Sequence, residues 1–246
     1  MRRLACNRLA TLGSAVVKKW TRPSDDQNAE GAYPVQDQRW SSQFITLFIL
    51  GASRSGKTLL ESMLSGIPTV QPPLYEFIKN PPDDSGALSI EQVFHITHDE
   101  LVEHGKRVVT PTNPHSLPRL PFLADRLPNA VFVFVQRDPV DLGAKIFSKN
   151  HMQSTEYAYD PKAMMAYIEA YNDASARFME RHGSHSVVLR FEDLLDDPVS
   201  AIKRIGVFSA DELQSINIVD SPSDQLRSSL YRAHFRALLQ ASPDVR

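Results

Sequence analysis

The sequence predicts an α/β fold, a single P-loop-type domain with a central parallel β-sheet flanked by helices, and three observations predict it. Phe44 to Leu50 and Val131 to Val135 are uncharged runs rich in Phe, Ile, Leu and Val. They are too short to span a membrane and suit strands buried on both faces. A third run, Ser186 to Arg190, reads SVVLR, and helical spacing fills the intervals between the three. Strands separated by helices make parallel units with right-handed crossovers. The first run breaks into Gly51-Ala52-Ser53-Arg54-Ser55-Gly56-Lys57-Thr58, two glycines with four residues between them and then Lys-Thr. This is a phosphate-loop pattern, and strand, loop and helix follow in the order it requires. The glycines let backbone N–H groups turn onto an anion at the positive end of the helix, where Arg54 and Lys57 add full charges.

Each element can be justified in turn. Residues 1–39 read as a basic N-terminal extension and linker, and 40–246 as the folded domain. The first 22 residues hold six basic side chains and no acidic one. Arg8 interrupts their apolar run, so neither a secretory core nor a spanning helix can be drawn. A solvated extension is the favoured reading, with a transit peptide or a basic helix on anionic lipid as alternatives. After the loop, Leu59, Leu60, Met63 and Leu64 carry a helix until Gly66 and Pro68 stop it. The prolines of IPTVQPPLYEF then suggest an irregular connection to Glu76. Residues 90–104 read as a helix whose His95, His98, Asp99 and His104 form a solvated polar face, with no ligand set for a metal. Val108-Val109 suggests a short strand, and 122–127 a helix. The strand ending at Val135 delivers Gln136-Arg137-Asp138-Pro139, at the end where open parallel sheets bind ligands. A helix over 140–150 carries Lys145, Ser148 and Lys149. A long one capped by Asp160 has a core stripe of Met164, Ile168, Tyr171, Phe178 and Met179, read as packing. Beyond SVVLR, an acidic turn leads to a helix at Pro198, and 224–240 reads as a last amphipathic helix with Arg227, Tyr231 and Arg232.

Composition narrows the function. A chain of 246 residues is long enough for one well-buried core. Lys and Arg number 27 against 29 Asp and Glu, so there is no global basic field for nucleic acid and any anion site is local. Cys6 is the only cysteine, which leaves no intramolecular disulfide and favours a reducing, cytoplasmic setting.

Taken together and in order, these stretches resemble the sulfotransferase family that uses 3′-phosphoadenosine 5′-phosphosulfate (PAPS), in its bacterial and tyrosylprotein branch. The loop from Gly51 to Thr58 is similar to the family's 5′-phosphosulfate loop, and Arg137-Asp138-Pro139 to its 3′-phosphate segment. Leu189-Arg190-Phe191-Glu192-Asp193-Leu194 is similar to an Arg-Tyr-Glu-Asp-Leu stretch, and Thr110-Pro111-Thr112-Asn113 to a connecting motif. The resemblance implies PAPS as cofactor, PAP as product, and sulfuryl transfer to a hydroxyl or amine acceptor on a small molecule, carbohydrate or peptide. It also implies cofactor contacts from Ser53, Arg54, Ser55, Gly56, Lys57, Thr58, Leu59 and Arg137.

Two departures stand out. Lys57 occupies a position where the family has Thr, while Val109 stands where many members have Lys; Lys57 is therefore expected to take over the cationic role at the transferring group. Lys145 stands eight residues after Arg137, where a 3′-phosphate serine would fall, and Ser148 and Lys149 are alternative donors there. For the general base the resemblance offers Glu76, at the place used by the glutamate-dependent branch. It also offers His115, 22 residues before Arg137, as in the cytosolic branch. Glu76 is favoured because Thr110 to Asn113 ties the chain to the glutamate branch. Two rival readings stand beside it: a kinase or nucleotidase with ATP and magnesium held by Thr58, from the form of the loop, and a PAP-binding module with weak turnover, from Lys145 and Val109.

Overall fold

The computed structural model describes residues 44–71, 101–110, 117, 120–127, 129–148, 156–218 and 222–241. The predicted extension, the boundary at residue 40, Glu76, most of the helix over 90–104, His115 and Lys149 lie outside them. Five parallel strands form one sheet: β1 Ile45–Leu50, β2 Val70–Gln71, β3 Val108–Val109, β4 Ala130–Gln136 and β5 Ser186–Arg190, in the order β2-β3-β1-β4-β5. Because every pairing is parallel, all five C-terminal ends lie along one sheet edge.

Side chains alternate across the sheet as the two-residue period demands, and each face is sealed by helices. Phe48 and Leu50 of β1 and Phe132 and Phe134 of β4 are buried on one face. Against them lie α2 (Leu120–Arg126), α3 (Pro139–Phe147), α4 (Pro161–His182) and α8 (Pro222–Ala241). Stacked Phe48 and Phe132 rings 5.2 Å apart, with Phe178 edge-on to Phe132 at 4.9 Å, fill its centre. Leu47, Ile49, Val133, Val135 and Leu189 point to the other face. They meet α1 (Lys57–Leu64), α5 (Phe191–Asp196), α6 (Pro198–Lys203) and α7 (Ala210–Leu213).

Where the sequence suggested an irregular connection after Pro68, Val70–Gln71 add an edge strand to β3. Thr69 anchors it: its carbonyl accepts the amides of Arg107 and Val108 at 2.9 and 3.1 Å. The acidic turn expected after β5 is instead already helical as α5, and α7 had no sequence forecast. The start of α7 is set chemically: Ser209 at its N-cap and Glu212 form a reciprocal capping box.

Glu212 also ties this helix to the sheet. It pairs with Arg107 at 2.6 Å and accepts from the Thr69 hydroxyl. Burial pushes its carboxyl upward, but the hydrogen bonds from Arg107, Thr69 and Ser209 outweigh that and hold it at about 2. A depressed carboxyl stabilises the fold above its unfolded value of 4.5, and that contribution is lost as pH falls toward 2. Glu212→Gln should therefore cost about 1–3 kcal/mol in urea unfolding at neutral pH. The gap to the parent protein should narrow when the same titration is run near pH 3.

Candidate functional site

The phosphate loop starts where β1 ends, beside the end of β4, because Leu50 is in register with Phe134. Gly51 sits so close to β4 that a Cβ would stand 2.6 Å from the Val135 carbonyl oxygen and strike Ser55 Oγ. Arg54 turns the loop with φ of 66°, a left-handed backbone that costs a non-glycine residue roughly 1–2 kcal/mol, and its side chain is exposed. Gly56 then enters α1 with φ of 113°.

The start of α1 differs from those of α3, α4, α6 and α7. Asp138, Asp160, Asp197 and Ser209 each cap α3, α4, α6 and α7 with a side-chain oxygen. At α1 no side chain caps, and no acidic residue lies in the first turn. Its leading amides and positive dipole end suit an external anion.

Lys57 is the first residue of that helix and is only 8% exposed. Its ammonium donates to the carbonyl oxygens of Gly51 and Ala52 at 2.9 and 2.8 Å, across the throat of the loop. Burial lowers its pKa to about 8, with the Glu61 carboxylate one turn along pulling it up and Arg54 pushing it down. Ser55 is buried, while Arg54 and Thr58 are exposed and Ser53, Gly56 and Leu59 half-buried. Val109, the other half of the charge exchange, is buried on the sheet face opposite α1.

Arg137 follows directly on β4. Its guanidinium lies over the Phe191 ring, 4.0 Å from the centroid, and the edge of the same ring rests on Gly56, where a Cβ would collide with it. One aromatic side chain from the end of β5 thus touches both the phosphate loop and the arginine of the neighbouring strand. Gly56→Ala should strain the backbone and displace that ring together. We expect a loss of about 1–3 kcal/mol in stability by thermal melting.

Around Arg137 the chain is fixed by charge. Glu192 accepts the Asp138 amide at 3.1 Å, and Asp138 caps α3 at the amides of Val140 and Asp141. Arg232 of α8 reaches Asp141 at 3.1 Å and Asp138 at 3.6 Å. Burial raises the Asp141 carboxyl, with Arg232 working against it. One turn beyond Arg232, Phe235 packs on Gly143, where any Cβ would strike the ring. Lys145 is half-buried in the last turn of α3, and Ser148 donates its hydroxyl to the Lys145 carbonyl at 3.0 Å as that helix ends.

Sequence reasoning passed over four participants. Phe191 was quoted only as part of a motif, and Arg232 only as a charge on a terminal helix. Tyr167 was not singled out, and Tyr171 was read as packing. The Tyr171 hydroxyl accepts the Gly51 amide at 2.9 Å and that of Tyr167 accepts the Ser53 amide at 3.2 Å. A signal existed: two tyrosines four apart on a core stripe carry hydroxyls that need partners.

The sequence model of the Sulfotransferase family matches residues 83–209, just over half the chain. That range takes in Arg137 and Phe191 and excludes the phosphate loop. No curated protein matches the sequence. Among solved structures, the sulfotransferase domain of the Synechococcus PCC 7002 olefin synthase aligns with TM-score 0.51 and 16% identity, over 83% of this chain and 90% of that one. A sulfotransferase from Alicyclobacillus acidocaldarius aligns with TM-score 0.46 and 20% identity, over 80% and 94%. The sulfotransferase STF1 of Mycobacterium tuberculosis H37Rv aligns with TM-score 0.44 and 15% identity, over 92% and 81%. With a parallel sheet, a loop at the end of β1 and the family's match over residues 83–209, this chain belongs to the sulfotransferase family.

Proposed function

We propose that the protein transfers a sulfuryl group from PAPS to a hydroxyl-bearing acceptor, with PAP as the second product. The observation that carries this reading is Phe191, whose ring meets Gly56 of the phosphate loop and the guanidinium of Arg137. A donor with phosphate at two ends needs two anion sites on one sheet edge, and the loop and Arg137 follow neighbouring parallel strands. The first-turn amides of α1, with Ser55, Lys57 and Thr58, fit the 5′ end; Arg137 fits the 3′ end, with Lys145 or Ser148 from the end of the helix that follows it, or Lys149 on the sequence alone, as the further donor.

PAPS supplies the activated sulfuryl group when bound. Lys57 and the loop amides hold positive charge where the leaving phosphate oxygen gathers negative charge. Arg137 fixes the far end of the nucleotide and so orients the reacting end. Glu76 takes the proton of the acceptor hydroxyl, with His115 as the alternative base.

The strand ends also weigh against the kinase reading. Beside β1 on one side, β3 ends at Val109 and leads into Thr110, where a magnesium-binding acid would be wanted; on the other, β4 ends at Gln136 and leads into Arg137. Asp138 is engaged as a helix cap, and Asp193 pairs with Arg204 at 2.9 Å. Among the described residues no helix is long and apolar enough to cross a membrane. Incubation with sulfur-labelled PAPS and a panel of alcohols, phenols, sugars and tyrosine peptides should transfer label to one acceptor class. Label transferred to none, with PAP nonetheless bound, would identify the protein as a binding module.

A further inference from the structure

Helix α4 holds the phosphate loop from behind. Tyr167 and Tyr171 stand one turn apart on it, 6% and 2% exposed. Their hydroxyl oxygens accept the amides of Ser53 and Gly51. Tyr157 stacks on Tyr167 with centroids 4.4 Å apart, and the two hydroxyls share a hydrogen bond. Packing alone requires neither oxygen, since Phe178 continues the same buried stripe without one.

The peptide between Ala52 and Ser53 shows what the oxygens accomplish. Its N–H is held by Tyr167, and its carbonyl receives the Lys57 ammonium. The next peptide back presents the Gly51 carbonyl to the same ammonium, while the Gly51 amide is held by Tyr171. Tyr167 therefore holds the opposite end of the peptide whose carbonyl meets the ammonium, and Tyr171 holds the residue that supplies the other carbonyl. Burial raises both phenols above their ordinary value, so they remain neutral hydroxyls.

We propose that Tyr167 and Tyr171 are positioning residues of the transfer reaction, holding the phosphate loop so that Lys57 and the leading amides of α1 stay aimed at the bound anion. The claim about aim rests on the donor reading above; the claim about the loop does not. Tyr167→Phe and Tyr171→Phe keep the rings and remove only the oxygens.

In the protein alone, amide exchange at Ser53 in the first variant and Gly51 in the second should accelerate at least about tenfold, because each buried N–H loses its acceptor. Titration with PAP should show affinity weakened about tenfold in either variant. In Tyr167→Phe the pH midpoint of PAP binding should also move, because the peptide that holds the ammonium is released; a purely structural tyrosine would leave that midpoint in place. Should Tyr171→Phe fail to fold, the less deeply buried Tyr167→Phe decides the matter. Unchanged exchange and unchanged PAP affinity, with only a lowered melting temperature, would overturn the proposal. If the parent protein itself does not bind PAP, the donor reading falls and the positioning role in transfer falls with it, whatever the exchange rates show.

Discussion

Glu76→Gln is expected to leave PAP affinity nearly intact while cutting turnover roughly 10²- to 10⁴-fold, the loss typical of a missing general base. The chain path admits this assignment. Because β2 runs parallel to β3 and through it to β1, the chain leaves Gln71 at the same sheet edge that carries the phosphate loop. Five further residues, spanning at most about 17 Å, lead to Glu76. Thr110, buried at the end of β3, opens the path toward His115 from that same edge. Strand ends alone thus admit both residues, and the resemblance of Thr110 to Asn113 to the glutamate branch separates them. His115→Asn should change turnover far less. Steady-state rates and PAP titrations on both variants measure the difference, and the reverse ranking would transfer the base assignment to His115.

Lys57→Met should lower turnover about 10²- to 10³-fold, the range seen when a fixed electrostatic partner of the transition state is removed. Its titration yields a second, opposed pair of effects. With a folded pKa of about 8 and an unfolded value of 10.5, the buried ammonium costs stability at every pH below 8. That cost is relieved as pH rises from about 8 to 10.5, so the stability of the parent protein should rise relative to Lys57→Met across that window. Anion binding moves the other way. It requires the charged form, so PAP affinity should weaken above pH 8, and binding near pH 9 should take up a proton. Calorimetry in two buffers of different ionisation enthalpy detects the uptake in the parent protein and its disappearance in Lys57→Met.

The three long strands and the phosphate loop were legible because each rests on local chemistry. Uninterrupted apolar runs admit burial on both faces, and the glycines of the loop sit where φ of 151° and 113° require them. Asp160 and Pro161 marked the start of α4 for the same reason. What escaped reading depends on partners far away in sequence. Val70–Gln71 is too short to have a periodicity and becomes a strand only because β3 lies beside it. Phe191 gains its role from Gly56 and Arg137, which the chain brings together from two other strand ends. Lys57 illustrates the limit within the site itself. Its charge and its place at the loop were evident, but its grip on two loop carbonyls depends on a turn shape that α4 helps to fix.

The central claim is that the loop and Arg137 together bind an adenosine nucleotide carrying phosphate at both its 3′ and 5′ positions. Calorimetric titration with PAP, set against ATP with magnesium, tests it most directly. Tight one-to-one PAP binding, lost on Arg137→Ala, is expected, with weak or absent binding of ATP with magnesium. Tight ATP binding that needs magnesium and is indifferent to Arg137→Ala would contradict it.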